Sequence, residues 1–276
     1  DTITIGAALT AATINLAGGT DVLTLGNFTN AATVSNTETI TGGTGADAIT
    51  LGTTLTGMTL NLGAGTDTLI LANVANTGSV SNVEVITGNA AADAVTLATA
   101  ITAGTIDLAA GTDSLTLGNF TNTATVSNTE TITGGTGADT ITLGAAITAG
   151  TIDLAAGTDT LILANGINSA TVSNAETLTG GTGADTVTLA TTLTGMTVNL
   201  GTGADTLILA NVANTGTVSN AETITGGTAA DTITLAAAIT AGTVNLGAGT
   251  DALTLGNFAN SATISNTETL TGGTGI

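Results

Sequence analysis

Aspartate is the residue whose type and spacing could do chemistry in this chain. It recurs at two alternating intervals, a shorter one that leads from Asp1 to Asp21 and a longer one that leads from Asp21 to Asp47. If each aspartate opens one coil of a stacked structure, all of them fall in one column with neighbouring carboxylates about 4.8 Å apart. Such charges repel by about 3 kcal/mol at an effective dielectric constant of roughly 20. The series comprises Asp21, Asp47, Asp67, Asp93, Asp113, Asp139, Asp159, Asp185, Asp205, Asp231 and Asp251.

A divalent cation between coils would remove this repulsion. Calcium prefers oxygen ligands, which carboxylates and the carbonyls of glycine-rich loops supply, so we expect Ca²⁺ as the cofactor and these aspartates as its ligands. The alternative is that each side chain caps a turn by accepting hydrogen bonds from backbone N–H groups.

The rest of the composition offers few other reactive groups. The 276 residues carry 20 carboxylates and a net charge of −20, with no Lys, Arg, His, Cys, Pro, Trp or Tyr. Without cationic side chains the chain cannot neutralise phosphates, so we expect no nucleic-acid partner. Only carboxylates and hydroxyls remain for proton transfer or nucleophilic attack, and we expect no enzyme activity. The apolar stretches are too short for a transmembrane segment.

The whole chain is a tandem repeat. The block that begins at Val34 returns every 46 residues, and six repeats make up the 276 residues. Each repeat aligns with itself once more, because the stretch that starts at Asp1 matches the one that starts at Asp21. We interpret the first repeat as two coils, a shorter one over positions 1–20 and a longer one over positions 21–46, which contains an insertion over positions 35–39.

Within a coil, apolar and polar residues alternate, as expected of strands. Stacking the coils puts Ile3 over Leu23 and Ile14 over Val34, which predicts an all-β parallel solenoid of twelve coils that alternate between the shorter and the longer kind. We expect residues 1–276 to form one domain, a segment of a longer repeat protein or fibre.

The sharpest motif is the stretch Gly42–Thr50, which reads Gly-Gly-Thr-Gly-Ala-Asp-Ala-Ile-Thr, with close copies at 134–142 and 180–188. It resembles the glycine- and aspartate-rich nonapeptide of the RTX family of bacterial proteins. The resemblance implies a right-handed parallel β-roll, secretion, and calcium bound by Asp47, Asp139 and Asp185. Copies that end at Asp93 and Asp231 have Ala in place of a loop Gly.

Two further polar series follow the 46-residue period. We interpret the first as an outward, mainly structural row: Asn15, Asn61, Asp107, Asp153, Asn199 and Asn245. The second lies in the insertion and is expected to protrude as a solubilising charge or to bind an ion or a neighbouring molecule: Glu38, Glu84, Glu130, Glu176, Glu222 and Glu268.

These observations favour a structural protein of the bacterial cell surface: a fibre, S-layer or adhesin segment, extracellular and stabilised by calcium. We expect it to associate with itself, end to end or side by side, and a cell-surface or glycan partner remains open. The alternative is an ice-binding or glycan-binding solenoid that uses outward rows of Thr and Asn. The rows include Thr2, Thr4, Thr140, Thr142, Thr186 and Thr188.

Overall fold

The computed structural model describes residues 1–275, which contain short β-strands and no helix. The first fifteen strands are β1 (Thr2–Thr4), β2 (Ala12–Asn15), β3 (Val22–Thr24), β4 (Ala31–Ser35), β5 (Thr39–Thr41), β6 (Ala48–Leu51), β7 (Thr59–Asn61), β8 (Thr68–Ile70), β9 (Thr77–Ser81), β10 (Val85–Asn89), β11 (Ala94–Leu97), β12 (Thr102–Ala109), β13 (Ser114–Thr116), β14 (Thr123–Ser127) and β15 (Thr131–Thr133). The others are β16 (Thr140–Leu143), β17 (Gly150–Asp153), β18 (Thr160–Ile162), β19 (Ser169–Ser173), β20 (Thr177–Thr179), β21 (Thr186–Leu189), β22 (Thr197–Asn199), β23 (Thr206–Ile208), β24 (Thr215–Ser219), β25 (Thr223–Thr225), β26 (Thr232–Leu235), β27 (Thr240–Asn245), β28 (Ala252–Thr254), β29 (Ser261–Ser265) and β30 (Thr269–Thr271).

The strands alternate between two parallel sheets. Odd-numbered strands form one 15-stranded sheet, the odd sheet, and even-numbered strands form the other, the even sheet. Ile3 pairs with Leu23 in the odd sheet, and Ile14 pairs with Val34 in the even sheet. The predicted parallel β-solenoid and both of these stacked pairs are confirmed.

The predicted coil count is wrong. Thr2 pairs with Val22 as expected, but Val22 pairs next with Thr39, whereas the predicted longer coil would have placed it beside Ala48. One 46-residue repeat contains five strands, which is two and a half turns and not the two predicted coils. Each sheet has 15 strands, so the chain makes about 14 turns between the first and the last strand of a sheet instead of the twelve predicted. The predicted insertion is in fact the approach to a fifth strand, β5.

By its internal contacts the chain divides into two compact units, residues 1–141 and 142–276. In the first, the columns Leu23–Ile40–Leu60 and Ile49–Leu69–Ile86 pair strand by strand and are almost completely buried. In the second, the paired residues Leu178 and Val198 are buried in the same way. The core of each unit is thus a stack of aliphatic side chains between the two sheets.

The loops that join the two sheets, here called corners, are tight. A Cβ added to Gly42 would lie 1.9 Å from the carbonyl oxygen of Leu62 in the next turn, so only glycine fits there. Asn36 and its equivalents, Asn82, Asn128, Asn174, Asn220 and Asn266, all have φ between 51° and 55°. Asparagine tolerates this left-handed backbone better than most residues.

Candidate functional site: buried carboxylate ladders

The aspartate series lies at two corners and not in the single predicted column. Asp21, Asp93, Asp113, Asp185 and Asp205 stand immediately before strands of the odd sheet, whereas Asp47, Asp67, Asp139, Asp159, Asp231 and Asp251 stand before strands of the even sheet. The reason is the half turn in each repeat, which moves the same sequence position to the other sheet in the next repeat. All of these side chains point inward and are only 0 to 2 % exposed.

At each corner the aspartates belong to a short ladder of four polar residues, one from each of four successive turns. Asn30 donates its backbone N–H and its side-chain Nδ2 to Oδ1 of Asp47, at 3.0 and 2.8 Å. The N–H of Asp47 donates to Oδ1 of Asp67 at 2.7 Å. The N–H of Asp67 donates in turn to Oε2 of Glu84 at 2.8 Å. We call this arrangement a carboxylate ladder.

The same arrangement recurs through both compact units. Complete ladders with these hydrogen bonds are Asn76–Asp93–Asp113–Glu130, Asn168–Asp185–Asp205–Glu222 and Asn214–Asp231–Asp251–Glu268. The steps Asn122–Asp139, in the first unit, and Asp159–Glu176, in the second, have the same geometry. At Asp21 the donor is the amino group of Asp1, and Asp21 donates its own N–H to Glu38.

The ladders account for one of the two oxygen atoms of each carboxylate. In the Asn–Asp and Asp–Asp steps Oδ1 accepts the backbone N–H of the residue one turn earlier, and in the Asp–Glu steps Oε2 does so. That N–H would otherwise be a buried donor without an acceptor. Hydrogen-bond capping is therefore present, as the alternative interpretation required. It acts mainly between turns; within its own turn, Asp139 also accepts the N–H of Gly135 at Oδ2, at 3.4 Å.

The second carboxylate oxygen, Oδ2, is buried and accepts no hydrogen bond in most ladders. This applies to Asp21, Asp47, Asp67, Asp93, Asp113, Asp185, Asp205, Asp231 and Asp251. A buried acceptor without a donor, and above all a charged one, destabilises a fold unless a proton or a cation compensates it.

Burial raises the pKa of the second aspartate in three of the ladders, where a carboxylate lies on either side. Desolvation, reinforced by the charges of Asp47 and Glu84, raises the pKa of Asp67 from 3.8 to about 6, although the Asp47 N–H opposes the change. Desolvation likewise raises the pKa of Asp113 and Asp205. These positions therefore have a reduced preference for the ionised form.

The glutamates do not protrude as expected, because all of them are half-buried except Glu268, which is exposed. Glu84 is half-buried and ends its ladder, where its N–H and that of Val85 both donate to the carbonyl oxygen of Asp67. The turn from Asp67 to Glu84 spans 17 residues, three fewer than the turn from Asp47 to Asp67. The shorter corner is occupied by the acidic residue with one more methylene group.

The buried asparagines escaped the sequence analysis. Asn76 is completely buried, accepts the N–H of Leu55, and donates Nδ2 to the carbonyl oxygens of Ala72 and Val74 and to Asp93. The sequence does contain an indication of this position. Asn30, the equivalent residue in the first repeat, precedes the inward residues Ala32 and Val34 by two and four positions, so it lies on the same face of the chain. Asparagine is common in exposed turns, so the residue type by itself does not indicate an inward position.

The outward Asn and Asp row has a structural basis. Oδ1 of Asn15 accepts the N–H of Ala17 and the Nδ2 of Asn36 from the next turn. Oδ1 of Asp107 accepts the equivalent bonds from Ala109 and Asn128. Only an acceptor oxygen is used, which explains why Asn and Asp interchange at this position.

The ladder residues fit the chemistry of a calcium ion in part. In the four complete ladders, each Asp–Asp step has buried Oδ2 atoms that accept no hydrogen bond, and the chain has no cationic side chain to neutralise them. Within residues 1–275, no three acidic side chains converge as a ready-made metal cluster. A bound calcium would therefore draw on the two aspartates of a step and complete its ligands with backbone carbonyls and water.

In comparisons with known proteins, no family model, no curated protein and no solved structure matches this chain. Among residues 1–275 there is no helix of the length and apolarity that a membrane-spanning helix requires.

Proposed function

We propose that this chain is a structural repeat module of the bacterial cell surface, of the fibre, S-layer or adhesin type, and that calcium stabilises its solenoid. The observation that carries the proposal is the buried Oδ2 atoms of paired aspartates, repeated from ladder to ladder without any cationic side chain. Calcium supplies positive charge there and shares its coordination between consecutive turns, so it holds the turns together.

A structural role also agrees with how the polar groups are used. The ladders serve the backbone: each carboxylate oxygen Oδ1 closes a hydrogen bond between turns, and the same pattern returns in every complete ladder. A catalytic site needs a constellation that differs from its surroundings, and the repeat continues without such an interruption.

The extracellular location is part of the same proposal. The glycine- and aspartate-rich corners resemble those of secreted calcium-binding repeats, and millimolar calcium outside the cell can occupy weak sites. Fluorescent labelling of intact cells of the source organism with an antibody against this chain would test the location.

The alternative ice-binding or glycan-binding function has less support. Equivalent threonines of consecutive repeats lie on different sheets because of the half turn in each repeat. Within the even sheet, the outward columns are also interrupted by Ala48, Ile70 and Val85. A regular threonine lattice on one face is therefore not maintained.

Calorimetric titration with calcium, combined with circular dichroism before and after chelation, tests the proposal. We expect on the order of one calcium per 46-residue repeat and a higher melting temperature with calcium than with chelator. The triple variant D67N/D113N/D205N should bind fewer ions. The matched control D107N/D153N should bind as the wild type does, because those outward positions are Asn in other repeats.

Equal melting temperatures with calcium and with chelator, together with no heat of binding, would refute calcium stabilisation. Magnesium serves as a specificity control, since it demands a tighter octahedral site and should substitute poorly.

A further inference from the structure

Two asparagines belong to a sequence motif that the proposed calcium sites do not use. Asn27-Phe28-Thr29 and Asn119-Phe120-Thr121 have the pattern Asn-Xaa-Ser/Thr, in which the asparagine is an acceptor for N-glycosylation. No other asparagine of the chain has a serine or threonine two positions after it. The equivalent corners of the other repeats have Ala75, Ile167, Ala213 and Ala259 at that position. The motif is therefore confined to the first and third repeats.

Both motifs lie at the surface of the first compact unit. Asn27 follows β3 and Asn119 follows β13, and all three residues of each motif are exposed. The two asparagines share one corner, where five turns separate them, about 24 Å along the solenoid. An enzyme that modifies asparagine can therefore approach both from the same side.

The side-chain nitrogen atoms of Asn27 and Asn119 are free to react. Within residues 1–275, Nδ2 of neither residue donates a hydrogen bond. Their equivalents Asn73, Asn211 and Asn257 accept hydrogen bonds through Oδ1 and leave Nδ2 unused. The buried ladder asparagines differ, because carbonyl and carboxylate oxygens accept hydrogen bonds from their Nδ2 atoms.

The backbone presents each motif in a fixed turn. The N–H of Phe28 donates to the carbonyl oxygen of Gly26 at 2.7 Å, which makes Asn27 the central residue of a three-residue turn. The carbonyl oxygen of Phe28 accepts Nδ2 of the buried Asn30 at 2.8 Å. The same two bonds occur at the second motif. The acceptor asparagine is thus held at the tip of an ordered corner.

The surface beside the motif has space for a sugar. At the second motif, a shallow open groove is lined by Asn119 itself together with Ala98, Leu117, Phe120 and Gly134. The ring of Phe120 is 44 % exposed. A sugar attached to Asn119 can therefore lie in the groove and cover part of this ring.

We propose that Asn27 and Asn119 are N-glycosylation sites. In the reaction, Nδ2 bonds to the anomeric carbon of a sugar that is activated by a nucleoside diphosphate or a lipid diphosphate. The bond from that carbon to the phosphate oxygen breaks, the diphosphate leaves, and Nδ2 loses one proton. The attached sugar adds bulky, solubilising cover at the corner. The proposal goes beyond the structural role proposed above and does not depend on calcium.

The first experiment supplies the activated sugar directly. The purified full chain is incubated with UDP-glucose and a soluble bacterial asparagine N-glycosyltransferase, and the attached hexoses are counted by intact mass spectrometry. We expect two hexoses on the wild type, one on T29A and none on T29A/T121A, because the transferase requires the hydroxyl of the motif. Alanine already stands at the equivalent positions Ala75 and Ala213, so the variants should fold normally, which circular dichroism melts check.

The matched control adds a site instead of removing one. The corner Asn257-Phe258-Ala259 differs from the two motifs only in its third residue, so A259T should accept one hexose more than the wild type. A wild type that accepts no hexose, or a T29A/T121A variant that accepts as many as the wild type, overturns the proposal.

The second experiment examines the protein from its source organism. The chain has no Lys or Arg for trypsin, so it is digested with pepsin, and the peptides that contain Asn27 and Asn119 are analysed by mass spectrometry. We expect a sugar on both asparagines and none on Asn257. A single hexose indicates a nucleotide-sugar donor and an oligosaccharide a lipid-linked donor, and either supports the proposal. Unmodified peptides at both positions overturn it. Calcium titration is a separate readout, so a failure of the proposed calcium stabilisation remains distinguishable from a failure of this proposal.

Discussion

Replacing Asp67 by Asn isolates the effect of one buried carboxylate. Asn keeps the Oδ1 acceptor that receives the Asp47 N–H. It replaces the unpartnered Oδ2 with an amide nitrogen, which is neutral and can donate to a neighbouring carboxylate. With calcium removed, we expect D67N to be more stable than the wild type at pH 7.

The magnitude follows from the pKa of Asp67. Burial raises this pKa from 3.8 to about 6, and each pH unit corresponds to about 1.36 kcal/mol. At pH 7, where the wild-type group is ionised, folding therefore costs about 3 kcal/mol at most for this side chain. Solvent near the corner screens part of it, so we expect a gain of about 1 to 3 kcal/mol. For a chain of this size that corresponds to a rise in melting temperature of about 2 to 10 °C.

The assay is thermal and urea unfolding followed by circular dichroism, at pH 7, in chelator and in excess calcium. D107N is the matched control, because that outward position is Asn in four repeats and should change stability by less than about 0.5 kcal/mol. In excess calcium the difference in stability between D67N and the wild type should become smaller or change sign, since D67N lacks one oxygen ligand that the proposed ion uses.

A loss of stability in chelator on the D67N substitution would refute this reasoning. It would mean that the ionised carboxylate stabilises the corner through its hydrogen bonds by more than its burial costs. A gain in chelator that calcium does not diminish would keep the burial argument and contradict calcium at this step.

Two further predictions concern the same ladders. In chelator, stability should be greatest below about pH 4 and should fall as pH rises towards 6. The reason is that folding raises the pKa of Asp67, Asp113 and Asp205, and a raised pKa favours the folded state only while the group is protonated. Urea midpoints that stay constant or increase over this pH range would contradict the prediction. Asn76→Ala should destabilise the chain by about 3 kcal/mol or more, since four buried groups lose a partner, whereas the exposed Asn73→Ala should be near neutral in the same urea titration.

The fold was predictable because the alternation of apolar and polar residues is strict. It fixes which residues of a strand point inward, and the alignment of Asp1 with Asp21 gives the first stacking step correctly. The number of turns was not predictable from that alignment. Strand β5 has only one buried apolar residue, Ile40, and is therefore hard to recognise as a strand. It aligns with β3 only if the turn between them is shorter than the one before, and in the sequence the residues of this short turn look like an insertion.

The candidate site was predictable only in its residue types. The aspartates are central, but their division between two corners depends on the half turn that the miscounted coils concealed. Asn30 and Glu38 belong to two different ladders. Their roles follow from hydrogen bonds between turns, which depend on the register of the strands and cannot be derived from the local sequence. Where the repeat supplies the register correctly, as at Ile14 and Val34, side-chain stacking is also correct.

Each repeat contains two and a half turns, so the number of repeats added to such a chain decides at which corner the downstream residues lie. Duplication of a single repeat rotates everything after it by half a turn, so that residues such as Phe120 would change corners. Duplication of two repeats, which contain ten strands and five whole turns, leaves every downstream side chain on its original side. If one corner is selected for contact with a neighbour, natural length variants should differ by even numbers of repeats.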